Sequence, residues 1–367
     1  MLLSGILPPI TTPFYADGAV YYKKLEHNVD RYSRTPVAGL VVLGSTGEAV
    51  MLSGEEQRAI LKLSREVAAP EKVLIAGTGH ESAIETLRLT EYAAALGYDI
   101  ALVRTPYYYR PQMKPENLLA FYRFVADRSP LPVLLYSVPP LTGYDLPVEV
   151  IAELSGHPNI VGIKESSGNV EKIKDVVEKT RHVRHTANVT EIFNAVTGRM
   201  LMPYSSSSGP EQPAESLVPL TALAGKSGSS SSSSSAAIAT AGPPSKPKFK
   251  MRTKEVGFQL LAGSAQLLLP SLEAGAAGAV LAFAAAAPTA CFEIYAAWKE
   301  GDHALAAEKQ QRISASAKRV ASELGIPALK YAMDLNGYYG GPSRLPLLPL
   351  TSELRAEVER LMADIRN

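Results

Sequence analysis

Residues 160–169 read IVGIKESSGN, and this stretch contains the junction that decides the fold. Its first four residues, Ile160 to Ile163, are apolar apart from one glycine, which is typical of a strand buried on both faces. Lys164 follows where that strand ends, and an amphipathic helical pattern starts near residue 169. The stretch therefore predicts a strand that leads into a helix, with a cation placed between them.

The same alternation of strand and helix occurs eight times along the chain. Apolar strands that are each followed by an amphipathic helix indicate a parallel sheet covered by helices, and eight such units favour a closed (β/α)8 TIM barrel over an open doubly wound sheet. The predicted strands are 5–14, 39–44, 73–79, 100–107, 132–138, 160–165, 258–264 and 278–284. The predicted helices are 21–34, 53–68, 81–96, 115–128, 147–155, 169–181, 265–275 and 288–299.

Two regions do not follow this alternation. Helical patterns at 301–323, 326–337 and 351–365 predict a C-terminal helical region over 301–367, after a barrel that spans 1–300. The barrel is interrupted before its seventh strand by a Ser/Pro-rich insertion, 184–255, which includes seven consecutive serines at 229–235. Such a composition buries too little apolar surface to offset its conformational entropy, so disorder is expected there. The part that reads VTEIFNAVTGRMLMPY (189–204) is not low-complexity and could pack as a small helix. A translated non-coding segment is an alternative explanation for the whole insertion.

The overall composition excludes several functional classes. The 367 residues are 46% hydrophobic and carry a net charge of +1, which predicts a globular protein without a nucleic-acid or membrane-binding surface. The chain has one cysteine, so no disulfide can form within it, as is usual in a reducing compartment. The first residues lack the features of a signal peptide, so a cytoplasmic location is expected, with a mitochondrial one left open. The six histidines show no convincing metal-ligand spacing.

Lys164 is the sharpest candidate for chemistry, because reactive residues of TIM barrels lie at the C-terminal ends of strands. Burial favours the neutral form of an amine, and a neutral amine can attack a ketone to form a Schiff base. The alternatives are a lysine that pairs with a carboxylate or one that extends its charge to solvent.

Two further strand ends could contribute to the same site. Tyr136 lies near the end of the preceding strand and could transfer protons beside Lys164, although a tyrosine there is also a common core residue. The turn Gly44-Ser-Thr-Gly-Glu48 offers backbone N–H groups and the hydroxyls of Ser45 and Thr46 to a carboxylate. A simple strand-to-helix turn is the alternative there.

Four motifs occur in an order and spacing that resemble the dihydrodipicolinate synthase/N-acetylneuraminate lyase family of class I pyruvate aldolases. They are GSTGE (44–48), TPYYYRP (105–111), LYSVPPLTG (135–143) and VGIKESSGN (161–169). The resemblance covers nearly all of the chain outside 184–255. Within the family, the segment GIPALKYAMDLNGYYGGPSRLPL (325–347) most resembles 4-hydroxy-2-oxoglutarate aldolase.

The resemblance implies a role for each matching residue. Lys164 would form the imine with a 2-oxo acid, Tyr136 would transfer protons, and Ser45 and Thr46 would hold the adjacent carboxylate. Tyr108 would complete a proton relay across a tight dimer, and the backbone near Val280 would line the pyruvate half of the site. Apart from the resemblance, Ser166 and its neighbour Ser167 are candidates to bind a second carboxylate, and a simple loop turn is the alternative for both. No metal or cofactor is implied beyond the lysine imine, and the expected assembly is a homotetramer built from dimers.

The substrate is less well defined than the chemistry. The resemblance favours cleavage of 4-hydroxy-2-oxoglutarate to pyruvate and glyoxylate. Dihydrodipicolinate synthase activity, the condensation of pyruvate with aspartate semialdehyde, is the alternative. That synthase carries an arginine after the proton-transferring tyrosine, where this chain has Leu141. An inactive barrel that serves as a binding or scaffold protein is a third possibility, and the intact lysine, tyrosine and hydroxyl residues speak against it.

Overall fold

A computed structural model of the chain describes residues 1–192, 194–201 and 250–365. Eight parallel strands form one sheet in the order β1-β10-β9-β6-β5-β4-β3-β2. These strands are Gly5–Ile6 (β1), Gly39–Val42 (β2), Val73–Gly77 (β3), Ile100–Arg104 (β4), Val133–Ser137 (β5), Ile160–Glu165 (β6), Gln259–Ala262 (β9) and Gly278–Ala279 (β10). Each of them lies within a predicted strand.

Backbone contacts between the two ends of the sheet close it into a barrel. Ala38 N donates to Ile6 O at 2.9 Å, and Val41 N donates to Pro8 O at 3.0 Å. Val41 also pairs with Pro9 in a parallel bridge, so β1 and β2 are neighbours although they stand at opposite ends of the sheet order. The predicted (β/α)8 barrel is thereby confirmed.

The barrel interior is filled by apolar side chains from alternate strand positions. Leu134 and Ile75 are fully buried there, packed with Ile100, Leu102 and Leu261. Residues two apart on a strand face the same side of the sheet. Arg104, at the C-terminal end of β4, therefore faces the barrel interior as Ile100 and Leu102 do. Polar side chains thus begin where the apolar layers end.

Helices cover the outside of the barrel. Those that follow strands are Tyr22–Ser33 (α1), Gly54–Val67 (α2), Ala83–Leu96 (α3), Pro115–Arg128 (α4), Pro139–Thr142 (α5), Val148–Leu154 (α6), Val170–Thr180 (α7), Leu268–Glu273 (α9) and Pro288–Lys299 (α10). The start of α2 is fixed by the capping box that the sequence predicts, in which Glu56 N donates to Ser53 Oγ at 3.2 Å and Ser53 N to Glu56 Oε2 at 2.9 Å.

The C-terminal region is helical, as the sequence predicts. It contains His303–Ser316 (α11), which continues into a π-helix at Ala317–Glu323, then Ile326–Leu335 (α12) and Ser352–Met362 (α13). None of the helices in the described parts of the chain is both long and apolar enough to cross a membrane.

The structure differs from the prediction at both ends of the insertion. Disorder is expected over 184–255, yet His185–Thr190 (β7) and Met251–Val256 (β8) pair as antiparallel strands outside the barrel. After β7, the short helix Gly198–Leu201 (α8) carries Arg199, whose buried guanidinium donates to Ala68 O at 3.3 Å and lies 3.8 Å from Asp99. These ends are ordered because they pair with each other and with the barrel. The serine run lies outside the described residues.

Candidate active site

Three neighbouring strands end in a row of polar side chains. Tyr136 on β5 stands opposite Arg104 on β4 and opposite Lys164 on β6 in the strand register. Adjacent strands are about 4.8 Å apart, so the Cα atoms of Arg104 and Lys164 lie roughly 10 Å apart across Tyr136. The parallel register therefore brings three residues that are distant in sequence to one edge of the barrel mouth.

Lys164 is a buried lysine with no carboxylate beside it. It is 5% exposed, and its Nζ lies 3.9 Å from the ring centroid of Tyr136. Among the described residues it makes no ion pair, and the neighbouring Glu165, which faces the other side of the strand, pairs with Lys172 at 2.8 Å. These contacts do not fit the two alternative roles considered for Lys164, a lysine paired with a carboxylate or one that extends its charge to solvent.

Tyr136 connects the lysine to the turn after β2. Its ring faces the Lys164 ammonium, and its hydroxyl lies 3.3 Å from Ser45 Oγ, where either group can donate. Ser45, Thr46 and Gly47 form a 3₁₀ turn at the barrel mouth. A proton can therefore pass between the tyrosine and serine hydroxyls next to the amine.

Glu48, which ends that turn, is held by the C-terminal region. It adopts a left-handed backbone conformation, φ 55°, which non-glycine residues rarely take. Its carboxylate pairs with Lys330 of α12 at 2.5 Å and accepts a hydrogen bond from Arg344 N at 3.0 Å. Sequence reasoning missed both partners, since nothing local links them to the turn.

A cavity of about 580 Å³ opens above these residues. The predicted residues that line it are Ser45, Thr46, Tyr136, Lys164, Ser166 and Val280. Ser166 Oγ is buried and has no hydrogen-bond partner among the described residues. Leu141 also lines the cavity and is 64% exposed, which places it at the mouth as the sequence comparison implies.

Neither Tyr108 nor Gly162 lines this cavity. Tyr108 is 74% exposed and lies outside the cavity lining, where its neighbour Tyr107 is found instead. Its use across a dimer stays a prediction. At Gly162, a Cβ would lie 2.0 Å from Gln259 O. Its role is to let β6 and β9 approach each other.

Arg104 is a charged lining residue that the sequence motifs did not point to. Its guanidinium donates to Gly79 O and to Glu81 Oε1, and it lines both the large cavity and an adjoining one of about 290 Å³. Burial, together with the charge of Arg104, lowers the pKa of the neighbouring His80. Its position two residues after the inward-facing Leu102 was the signal that could have identified it.

The sequence profile of the dihydrodipicolinate synthetase family matches residues 2–187 and 246–365. The chain belongs to this family. The match skips most of the insertion, in agreement with its foreign composition. A 4-hydroxy-tetrahydrodipicolinate synthase from Methanothrix thermoacetophila is 29% identical over 361 residues, which covers 98% of this chain and 96% of the relative.

Solved structures of the family share the fold. A dihydrodipicolinate synthase from Bacillus anthracis matches with a TM-score of 0.75 and 24% identity over all of both chains. The chloride-inhibited dihydrodipicolinate synthase from Acinetobacter baumannii, solved with pyruvate, matches with a TM-score of 0.74 and 26% identity over 99% of both chains. Family membership thus rests on the match to the sequence profile. The solved structures show in addition that these relatives have the same barrel fold.

Proposed function

We propose that this protein is a Schiff-base enzyme that makes or breaks a carbon–carbon bond between pyruvate and an aldehyde. The observation that carries the proposal is Lys164: a buried amine without a carboxylate partner, above the ring of Tyr136, in a cavity lined by hydroxyls. An amine held in this way is suited to attack a ketone.

The proposed reaction begins when Lys164 Nζ attacks C2 of the 2-oxo acid. Tyr136 supplies the proton with which the carbinolamine loses water, and a protonated imine results. In the cleavage direction, deprotonation of the C4 hydroxyl breaks the C3–C4 bond and releases the aldehyde. The imine takes up the electron pair and becomes an enamine. Protonation at C3 and hydrolysis then return pyruvate and free Lys164.

Tyr136 and Ser45 are the groups that would move these protons. Their oxygens are 3.3 Å apart, close enough to exchange a proton through a small shift. Ser45 and Thr46 would also bind the carboxylate next to the ketone. Every step uses side chains that line one cavity.

Two observations bear on which aldehyde reacts with pyruvate, that is, on the aldehyde half of the substrate. The names of the relatives support condensation of pyruvate with aspartate semialdehyde, as in a 4-hydroxy-tetrahydrodipicolinate synthase. Leu141 stands at the cavity mouth where that synthase carries an arginine, and leucine offers no donor to a carboxylate there. This departure keeps cleavage of 4-hydroxy-2-oxoglutarate to pyruvate and glyoxylate as the second candidate, and the carboxylate of glyoxylate would need another partner as well. We propose the synthase reaction first, since the family relatives carry that name, and the cleavage second.

Borohydride trapping tests the Schiff base. Incubation with pyruvate and borohydride is expected to add a reduced pyruvyl group to the tryptic peptide that contains Lys164, as seen by mass spectrometry. The Lys164→Ala variant should lose the label, and removal of the exposed Lys114 in a Lys114→Ala control should not. Labelling that persists in Lys164→Ala would rule out the assignment.

A comparison of both reactions on one preparation tests the aldehyde half. Efficient condensation with aspartate semialdehyde, at a kcat/KM well above that for 4-hydroxy-2-oxoglutarate cleavage, is the expected result. A higher kcat/KM for 4-hydroxy-2-oxoglutarate cleavage than for the condensation would favour the aldolase reaction. Trapping of pyruvate without turnover of either substrate would leave the imine chemistry in place and refute both choices of aldehyde.

A further inference from the structure

Arg104 has no assigned role, yet it is a cation at the mouth of the active-site cavity. Three charged side chains line that cavity among the described residues: Lys164, Arg104 and Glu48. The Glu48 charge is matched by Lys330 at 2.5 Å, and Lys164 is needed for the imine. Of the two cations that line the cavity, Arg104 is therefore the one that could bind an anionic part of a ligand.

We infer that Arg104 binds the carboxylate of the aldehyde half of the substrate. This inference rests on the proposed function and names a contact that the proposed mechanism lacks. Glyoxylate and aspartate semialdehyde both carry such a carboxylate, and Leu141 provides no donor for it. Arg104 would supply the missing donor from the neighbouring strand, on the other side of Tyr136 from Lys164.

The position of Arg104 suits this role. It lies in register with Tyr136, which in turn lies in register with Lys164, so the three form one row across the mouth. A 2-oxo acid bound as an imine at Lys164 places its reacting carbon near Tyr136. The bond to the aldehyde would then extend the substrate along the row, and its far carboxylate would point toward β4.

The guanidinium is held in a fixed orientation and still has donors to offer. Its Cζ lies 5.4 Å from the Tyr107 ring centroid, and its Nη2 donates to Glu81 Oε1 at 3.4 Å while Nη1 donates to Gly79 O. A guanidinium has five N–H donors, and Nε of Arg104 is buried without a partner among the described residues. A planar carboxylate can accept two of these N–H groups at once.

The contact to Glu81 does not block this role. At 3.4 Å it is a long ion pair, and the other oxygen of Glu81 accepts from Tyr107 N at 2.8 Å and Tyr108 N at 2.9 Å. Glu81 thus ties the loop after β4 to the guanidinium that faces the cavity. The arrangement positions Arg104 before substrate arrives, which lowers the entropy cost of binding.

Arg104→Met tests the inference because methionine keeps much of the apolar stem and removes the charge. The measurement is kcat/KM for condensation of pyruvate with glyoxylate, with aspartate semialdehyde and with acetaldehyde, which has no carboxylate. The preference for a carboxylated aldehyde over acetaldehyde is expected to fall about 10- to 100-fold, mainly through KM.

Two variants serve as controls. Arg104→Lys keeps the charge without the planar fork and should restore part of the preference. Arg110 is an exposed arginine after the same strand, packed over Gly143 and outside the cavity lining. Arg110→Met should leave the preference as it is in the native protein.

Three results would overturn the inference. A native protein that shows no preference for carboxylated aldehydes would contradict it directly. An equal loss for all three aldehydes in Arg104→Met, or a loss of pyruvate trapping at Lys164, would mean that Arg104 supports the fold or the imine instead. If the native protein does not trap pyruvate at all, the proposed function fails first, and the role of Arg104 falls with it.

Discussion

At the scale of single residues, Tyr136 combines two properties in one side chain. Its ring lies 3.9 Å from the Lys164 ammonium, and its hydroxyl lies 3.3 Å from Ser45. The ring is part of the wall that buries the amine, whereas the hydroxyl is the part that can move a proton. These properties can be separated, because phenylalanine keeps the ring and removes only the oxygen.

Tyr136→Phe is expected to retain some imine formation and to lose most turnover. General acid–base groups contribute roughly 10²- to 10⁴-fold to rate, so kcat should fall within that range. Steady-state kinetics and borohydride trapping with pyruvate measure the two effects separately. Tyr109→Phe, an exposed tyrosine outside the cavity lining, is the matched control and should behave like the native protein. Full turnover in Tyr136→Phe would exclude the hydroxyl from proton transfer.

At the scale of elements, the C-terminal helices fix the turn that carries Ser45 and Thr46. Lys330 of α12 is fully buried and binds Glu48 at 2.5 Å and Thr12 O at 2.9 Å. Burial lowers the pKa of Lys330, and the Glu48 carboxylate opposes that shift. Lys330 and the backbone N–H of Arg344 thus fix the Glu48 side chain at the end of the turn, so the C-terminal region contributes to the site although it lies outside the barrel strands.

Lys330→Met is expected to destabilise the fold by about 3–5 kcal/mol, since it leaves the buried Glu48 charge without its partner. The free energy of unfolding in urea measures the loss. The double variant Glu48→Gln/Lys330→Met removes both charges and should recover a substantial part of it. Lys174→Met breaks an exposed pair with Glu171 and should cost about 1 kcal/mol or less. A similarly small effect of Lys330→Met would show that the buried pair is not important for stability.

At the scale of the whole molecule, the insertion is attached to the barrel through a two-stranded sheet. Thr190 on β7 pairs with Met251 on β8, so the chain leaves and returns at adjacent positions. Arg199 fixes the first part of the insertion to the barrel through backbone carbonyls of residues 68, 69 and 72. The family profile resumes at residue 246.

Replacement of residues 202–249 by a short Gly/Ser linker is expected to leave a folded, active enzyme. The ordered ends stay in place, and a change in loop length costs only about 0.6 kcal/mol per doubling. Thermal unfolding and pyruvate trapping are the measurements. An insoluble or inactive deletion variant, beside a working full-length chain, would show that the segment is required for the fold.

The sequence by itself determined the eight strands, most helix ends and the placement of Lys164 and Tyr136 on neighbouring strands. These features depend on local information: apolar runs, helical periodicity and caps such as Ser53 with Glu56 act within a few residues. The parallel barrel then brings the strand ends together, which is why the main candidate residues line one cavity.

Only the tertiary structure decided the rest. The pairing of Glu48 with Lys330, the ordered strands β7 and β8, and the contacts of Arg104 with Gly79 and Glu81 join segments that are far apart in sequence. Tyr108 likewise fits the family motif, but its side chain lies outside the cavity of its own chain. The direction and partners of a polar side chain depend on which distant groups the packed chain brings within hydrogen-bonding distance, and local sequence patterns do not contain that information.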